Sequence, residues 1–135
     1  MDQIFQIGFI GCGNIATEKH FPGMATVDDA AMVAFCDVVP ERAAAAARYY
    51  GAPDAKTYTD YHELLADPSI DAVHVLTPME THCRIVIDAL EAGKHVLCEK
   101  PMATSSVEAR AMVDAARRTG KILRLSYQYR HFNKN

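Results

Sequence analysis

Short apolar runs, three of them closed by glycine or an acid, alternate with stretches of helical spacing along the whole chain. The run QIFQIGFIG (3–11) predicts a buried parallel strand. Residues 14–26 read as a helix interrupted near Pro22 and Gly23. AMVAFCD (31–37) predicts a second strand. PERAAAAARYYG (40–51) predicts a helix with Pro40 in its first turn and Gly51 at its stop. KTY (56–58) is a short third strand, and DYHELLAD (60–67) a short helix capped by Asp60. DAVHVLT (71–77), HVLCE (95–99) and ILRLSYQYR (122–130) complete six strands, with helices predicted over 79–92 and 105–120. The first of these helices ends at Gly93. The second takes Ser105 or Ser106 as its cap, Glu108 near the capping-box position and Gly120 as its stop.

Strands that alternate with helices imply a parallel sheet covered on both faces. Right-handed crossovers then favour a doubly wound α/β sheet in the order 3-2-1-4-5-6. At 135 residues the chain fits one domain with a core of its own.

Composition narrows the function classes. Hydrophobic residues make up 50% and charged residues 23%, a globular balance. The net charge of −3 argues against nucleic acid as a partner. No apolar run reaches the roughly 18 residues of a membrane span, so the expectation is a soluble, cytoplasmic protein with no membrane partner. The four cysteines, Cys12, Cys36, Cys83 and Cys98, form no CxxC pair and match no zinc spacing. They read as reduced, mostly buried thiols, with no metal site. His74, inside an apolar run, reads as a packed strand residue.

The chemistry concentrates at strand ends. Gly11-Cys12-Gly13-Asn14-Ile15-Ala16 is G-x-G-x-x-A, directly after a strand and opening a helix. Gly11 allows the tight turn, Gly13 lets the backbone approach a pyrophosphate, and Ala16 keeps the helix close to the sheet. Gly8, within the strand, leaves room for a neighbour's packing. A plain strand–turn–helix junction gives a similar pattern, and an acid at the end of the second strand separates the two. Asp37 stands there, 24 residues after Gly13. Its carboxylate suits both hydroxyls of a ribose and repels a 2′-phosphate, which favours NAD over NADP. Arg42 is the counterweight, suited either to a 2′-phosphate or to a solvated helix face. Further on, the fifth strand ends in Glu99-Lys100-Pro101. Ligands of a doubly wound sheet sit outside the carboxyl ends of the strands, so Lys100 is expected to point into that crevice. There it would donate to a substrate oxygen; an exposed lysine at a strand end is the plainer alternative. Pro101 fixes the turn, and its peptide bond is a candidate for cis.

The ordered combination of G-x-G-x-x-A, Asp37, TPMETH (77–82) and EKP (99–101) resembles the Gfo/Idh/MocA oxidoreductase family, from about Ile4 to Phe132. That family includes glucose–fructose oxidoreductase, inositol dehydrogenase and related sugar dehydrogenases. The resemblance implies an N-terminal Rossmann domain that binds NAD(P). It implies Gly11, Gly13, Asn14 and Ile15 at the pyrophosphate and Asp37 at the adenosine ribose. Thr77, Pro78 and His82 would line the nicotinamide side. Glu99 and Lys100 would meet the nicotinamide ribose and the substrate, with Lys100 as the catalytic residue. Gln128 and Arg130 match a position near the nicotinamide; Gln128 fits equally well on one face of an edge strand with Tyr127 and Tyr129.

Members of the family carry a second α/β domain with the substrate pocket and an acid/base histidine, and Asn135 falls about where that domain would begin. His131 lies too close to the sheet to take that role. The expectation is a domain that binds dinucleotide, from an oxidoreductase acting on a hydroxyl-bearing sugar or polyol, with little turnover by this chain alone. A stand-alone NAD-binding sensor or partner subunit and self-association as a homo-oligomer stay open, whereas Asp37 argues against a CoA- or nucleotide-binding domain without redox function.

Overall fold

In the computed structural model, which describes residues 3–126, the β-strands form one six-stranded parallel sheet. The strands are β1 (Phe5–Ile10), β2 (Ala30–Cys36), β3 (Lys56–Tyr58), β4 (Ala72–Val75), β5 (His95–Glu99) and β6 (Leu123–Ser126). Their order is β3-β2-β1-β4-β5-β6, the doubly wound arrangement expected from the alternation. β1 lies between β2 and β4, with Phe9 opposite Phe35 on one side and His74 on the other. The chain winds outward to β3, then crosses back to β4. The carboxyl ends of β1 and β4 therefore diverge into a crevice, the place where such sheets bind ligands.

Period-2 burial puts alternate strand residues on opposite faces. On one face, Phe9, Phe21 and Phe35 are fully buried with ring centroids 5.0–5.5 Å apart, beneath the segment after β1 and α2 (Pro40–Tyr50). Burying each of these rings contributes roughly 1.5–3 kcal/mol. On the other face, Val73, Val75, Val96 and Cys98 meet Leu64, Val86, Leu90, Met112 and Ala115. These come from α3 (Tyr61–Leu65), α4 (His82–Glu91) and α5 (Ser106–Thr119). Gly8 faces this side, and a methyl group there would come within 3.0 Å of Leu64 Cδ2, the close packing expected of it.

The helix predicted over 14–26 departs from its expected form in an informative way. It is helical over 14–24, but its irregularity precedes Pro22 rather than falling on it. A π turn spans Ala16–His20, and an α turn, α1 (Phe21–Met24), follows with Pro22 in its first turn. Phe21 N–H bonds the carbonyl of Ala16, and proline's missing donor then falls where the α turn begins.

The helix expected over 79–92 divides into a 3-10 turn, Met79–Thr81, and α4. The helix expected over 60–67 shortens to α3, with Asp60 as its cap, accepting from the His62 amide at 2.9 Å. Ser105 caps α5, and Gly120 ends it at φ +71°. Of the strand expected over 122–130, β6 accounts for the first part; Gln128 and Arg130 lie outside the described residues.

Candidate functional site

The turn after β1 requires glycine. Gly11 has φ +102°, and a Cβ there would lie 2.8 Å from the backbone carbon and oxygen of Leu76. The glycine loop therefore runs against the end of β4 closer than any side chain allows, and Gly11 N–H donates to the Cys36 carbonyl at 2.8 Å. Gly13 differs: nothing lies within 4 Å of the position its Cβ would take. That space opens beside the first turn of the helical segment, where unpaired amides and the helix dipole favour an anion. Ala16 is fully buried and keeps this segment against the sheet. Asn14 is exposed on the segment's first turn, and Ile15 is half-buried against the aromatic face.

Asp37 follows β2 and is only 8% exposed. The Cys12 amide donates to its Oδ2 and the Val39 amide to its Oδ1, each at 2.8 Å. The carboxylate is thus fixed to the glycine loop by one oxygen and to the β2–α2 turn by the other. Arg42 Nη1 stands 4.0 Å from Oδ1 on an exposed side chain, a contact too solvated to contribute much. Burial, with Asp37 adding to it, pushes the Cys12 and Cys36 thiols up to about 12, so both stay protonated beside the acid.

Between these groups and the loop after β4 lies a cleft of about 640 Å³. Gly11, Gly13 and Asp37 border it on one side, and Thr77, Pro78 and Thr81 on the other. Asn14 borders an adjoining hollow of about 250 Å³, shared with Arg42 and Tyr49. Thr59, Tyr61 and Arg84 also line the cleft and carried no motif in the sequence; the one signal for Thr59 and Tyr61 was their place just after β3. Tyr61 donates to Asp88 Oδ2 at 2.6 Å, and burial with that carboxylate pushes the phenol up to about 12.

The residues of the β5 end separate. Lys100 is exposed on the turn after β5, and the Lys100–Pro101 bond is cis. Glu99 is buried, with Oε2 at 2.6 Å from His20 Nε2. His20 Nδ1 meets His74 Nδ1 at 3.0 Å, and His74 packs on the Phe9 ring. Burial, with His20 adding to it, drops His74 to about 3. His74 is a packed strand residue, as expected, but it is also the end of a buried Glu99–His20–His74 chain that no local pattern announced.

His82, which the resemblance puts on the nicotinamide side, begins α4 directly after the Met79–Thr81 turn. Its ring is 1% exposed. Both of its nitrogens face backbone carbonyls, Nδ1 that of Pro101 at 2.9 Å and Nε2 that of Thr77 at 2.8 Å. Cys12, Cys36 and Cys98 are buried free thiols, and Cys83 is half-buried. Among the described residues no helix is long and apolar enough to cross a membrane.

A sequence profile of the Gfo/Idh/MocA oxidoreductase family, for its NAD-binding Rossmann fold, matches residues 5–127. An uncharacterized oxidoreductase of Rhizobium meliloti is 41% identical over 118 residues, 87% of this chain and 35% of that protein. Inositol 2-dehydrogenase of Salmonella typhimurium is 37% identical over 84% of this chain and 34% of its own length. The chain thus spans about a third of the length of the curated relatives it matches.

Among solved structures, the WlbA dehydrogenase of Chromobacterium violaceum, in complex with NADH and UDP-GlcNAcA, superposes with a TM-score of 0.88. It is 33% identical and matches 96% of this chain and 37% of its own. A 3-ketoreductase of Actinomadura kijaniata, in complex with NADP and TDP-benzene, gives a TM-score of 0.88 at 27% identity, over 98% of this chain and 41% of its own. The strand order, the glycine loop, Asp37 and this match agree, and the chain belongs to the Gfo/Idh/MocA oxidoreductase family as its NAD-binding Rossmann domain.

Proposed function

We propose that the cleft at the carboxyl ends of β1 and β4 holds a nicotinamide dinucleotide, with NAD preferred over NADP. In this reading the described strands and helices are one cofactor domain of an oxidoreductase acting on a hydroxyl-bearing carbon of a sugar, polyol or related compound. The observation that carries it is the pairing of Gly13 with Asp37. The space at Gly13 suits a pyrophosphate, and a carboxylate pinned by two amides stands at the same cleft. Gly11, Gly13, Asn14 and Ile15 would form the pyrophosphate cradle, and Asp37 would accept from the adenosine ribose. Thr77 and Pro78 would wall the cofactor. Glu99 and Lys100 would serve the nicotinamide ribose and the substrate, with Gln128 close by.

Each Asp37 oxygen already accepts one amide, and each has a second lone pair for a ribose hydroxyl. A 2′-phosphate would add negative charge beside this buried carboxylate. The solved relatives include both an NADH and an NADP complex, so the acid at this position is the feature that favours NAD here. When bound, the nicotinamide ring supplies the hydride acceptor or donor. The chain's own contribution is orientation, with the Lys100 ammonium available to donate to the substrate's reacting oxygen. Buried free thiols and nicotinamide chemistry both fit a reducing cytoplasmic compartment.

Asp37→Ala tests the cofactor preference. Titration with NADH and NADPH should show NADH weakened about tenfold, roughly one charge-assisted hydrogen bond, and the two affinities drawn together. An unchanged preference would remove Asp37 from the ribose site.

A further inference from the structure

Lys100 sits on a turn gripped on both sides by histidine. One residue before it, the Glu99 carboxylate meets His20 Nε2 at 2.6 Å. One residue after it, the Pro101 carbonyl meets His82 Nδ1 at 2.9 Å. The same His82 ring reaches the Thr77 carbonyl through Nε2 at 2.8 Å. Pro101 belongs to the turn after β5 and Thr77 to the loop after β4 that lines the cleft, so one buried side chain contacts both segments.

The chemistry of the two acceptors is decisive. Carbonyl oxygens only accept, and a neutral imidazole has a single N–H, so it satisfies one of the two. The other ring nitrogen would then turn its lone pair on a carbonyl oxygen. An imidazolium donates to both. With the ring 1% exposed, water has no room to make up the difference.

We propose that His82, carrying a proton on each ring nitrogen, is a positioning residue that clasps the loop after β4 to the turn after β5 and so sets where Lys100 stands. This rests on reading the cleft as the dinucleotide site. The loop on the Thr77 side is closed on itself: Thr77 Oγ1 and Thr81 Oγ1 lie 2.6 Å apart, and the Thr81 amide donates to the Pro78 carbonyl. It therefore shifts as a unit with the carbonyl His82 holds.

Charged and titratable groups on the adjoining segments are Glu80 on the preceding turn, Cys83 and Arg84 on α4, Glu99 and Lys100 at the β5 end, and Glu108 on α5. Glu99 is engaged by His20 and Glu108 by the Thr104 amide and hydroxyl. The Cys83 thiol points to the Glu108 carbonyl. The ring's own partners are the two carbonyls. Loss of one ring proton breaks one arm of the clasp, and either the cleft wall or the Lys100 turn is released.

Two measurements on the full chain test this. Long-range 1H–15N NMR of the unliganded protein, followed from mildly acidic to mildly alkaline pH, reads the His82 ring directly. The expected result is a ring protonated on both nitrogens at the acidic end, with the Met79, Lys100 and Met102 amide signals shifting as it loses a proton. A His82 ring with one proton throughout the folded range overturns the proposal, and so does a ring that titrates while those amides stay still.

The second measurement is NADH affinity across the same range for the native chain and His82→Gln, with thermal melting as the check on folding. Native binding should weaken about tenfold as His82 loses its proton, one hydrogen bond's worth, while the variant binds weakly throughout without that step. A variant with the native pH profile overturns the proposal, because His20 and His74 remain in it. If the variant does not fold, the NMR measurement decides. If the folded native chain does not bind NADH, the dinucleotide reading fails while the NMR still decides the clasp.

Discussion

Replacing Gly11 and Gly13 in turn by alanine separates folding from binding within three residues of sequence. At Gly11 the added methyl would stand 2.8 Å from two Leu76 backbone atoms, in a backbone conformation of φ +102°. The conformational strain costs about 1–3 kcal/mol and the forced backbone shift about as much again, so the variant should lose about 2–6 kcal/mol. At about 4 °C per kcal/mol this is a fall in Tm of roughly 8–24 °C.

At Gly13 the methyl meets no atom within 4 Å and φ lies outside the left-handed region. Stability should stay within about 1 kcal/mol of native, because Gly→Ala at a compatible site acts chiefly on the unfolded chain. The methyl instead fills the space a pyrophosphate needs, and NADH affinity should fall at least about tenfold, or 1.4 kcal/mol. Circular dichroism melting and nicotinamide fluorescence titration read the two quantities, and the chain has no tryptophan to interfere. Native-like NADH binding by Gly13→Ala would refute the cradle. Equal stability losses in both variants would refute the distinction drawn between the two glycines.

Two further outcomes follow from the buried polar groups. His74 titrates at about 3 in the folded chain against an ordinary 6.5, so the unfolded chain binds more protons between those values. Its contribution is complete above about pH 6.5 and is lost as pH falls towards about 3, at most about 5 kcal/mol in all. Urea unfolding should therefore show stability falling as the pH drops from about 6.5, with a shallower slope in His74→Gln; equal slopes would contradict the assignment. Burial holds Cys12, Cys36 and Cys98 protonated at about 12, whereas Cys83 is half-buried and raised less far. An aromatic disulfide reagent should label Cys83 first in the native chain and the other three only on unfolding, and native labelling of Cys12 at a similar rate would count against this.

What the sequence made legible was what repeats locally or sits next to a strand end. Apolar runs closed by Gly11, Asp37 and Glu99 marked three strand ends, and the crossover rule turned the alternation into the observed order. Asp37 could be paired with the glycine loop because a strand–helix–strand unit has a nearly fixed length. The contacts between distant segments were not legible. His20 and Glu99 are 79 residues apart and meet through the π turn at Ala16–His20, which turns His20 inward. Proline and glycine at 22 and 23 signalled an interruption, but not that the helix would widen one turn earlier. The partners of His82 were equally illegible: its ring is buried, with Nδ1 near the Pro101 carbonyl, 19 residues on, and Nε2 near that of Thr77. The cleft wall from Thr59, Tyr61 and Arg84 belongs to three segments that share no motif.

Titrating the unmodified chain with NADH and NADPH decides whether the cleft holds a nicotinamide dinucleotide. Enhanced nicotinamide fluorescence that saturates with NADH, and only at higher concentration with NADPH, is the predicted result. A folded chain that binds neither nucleotide at about millimolar concentration, where binding free energy is only about −4 kcal/mol, would contradict it.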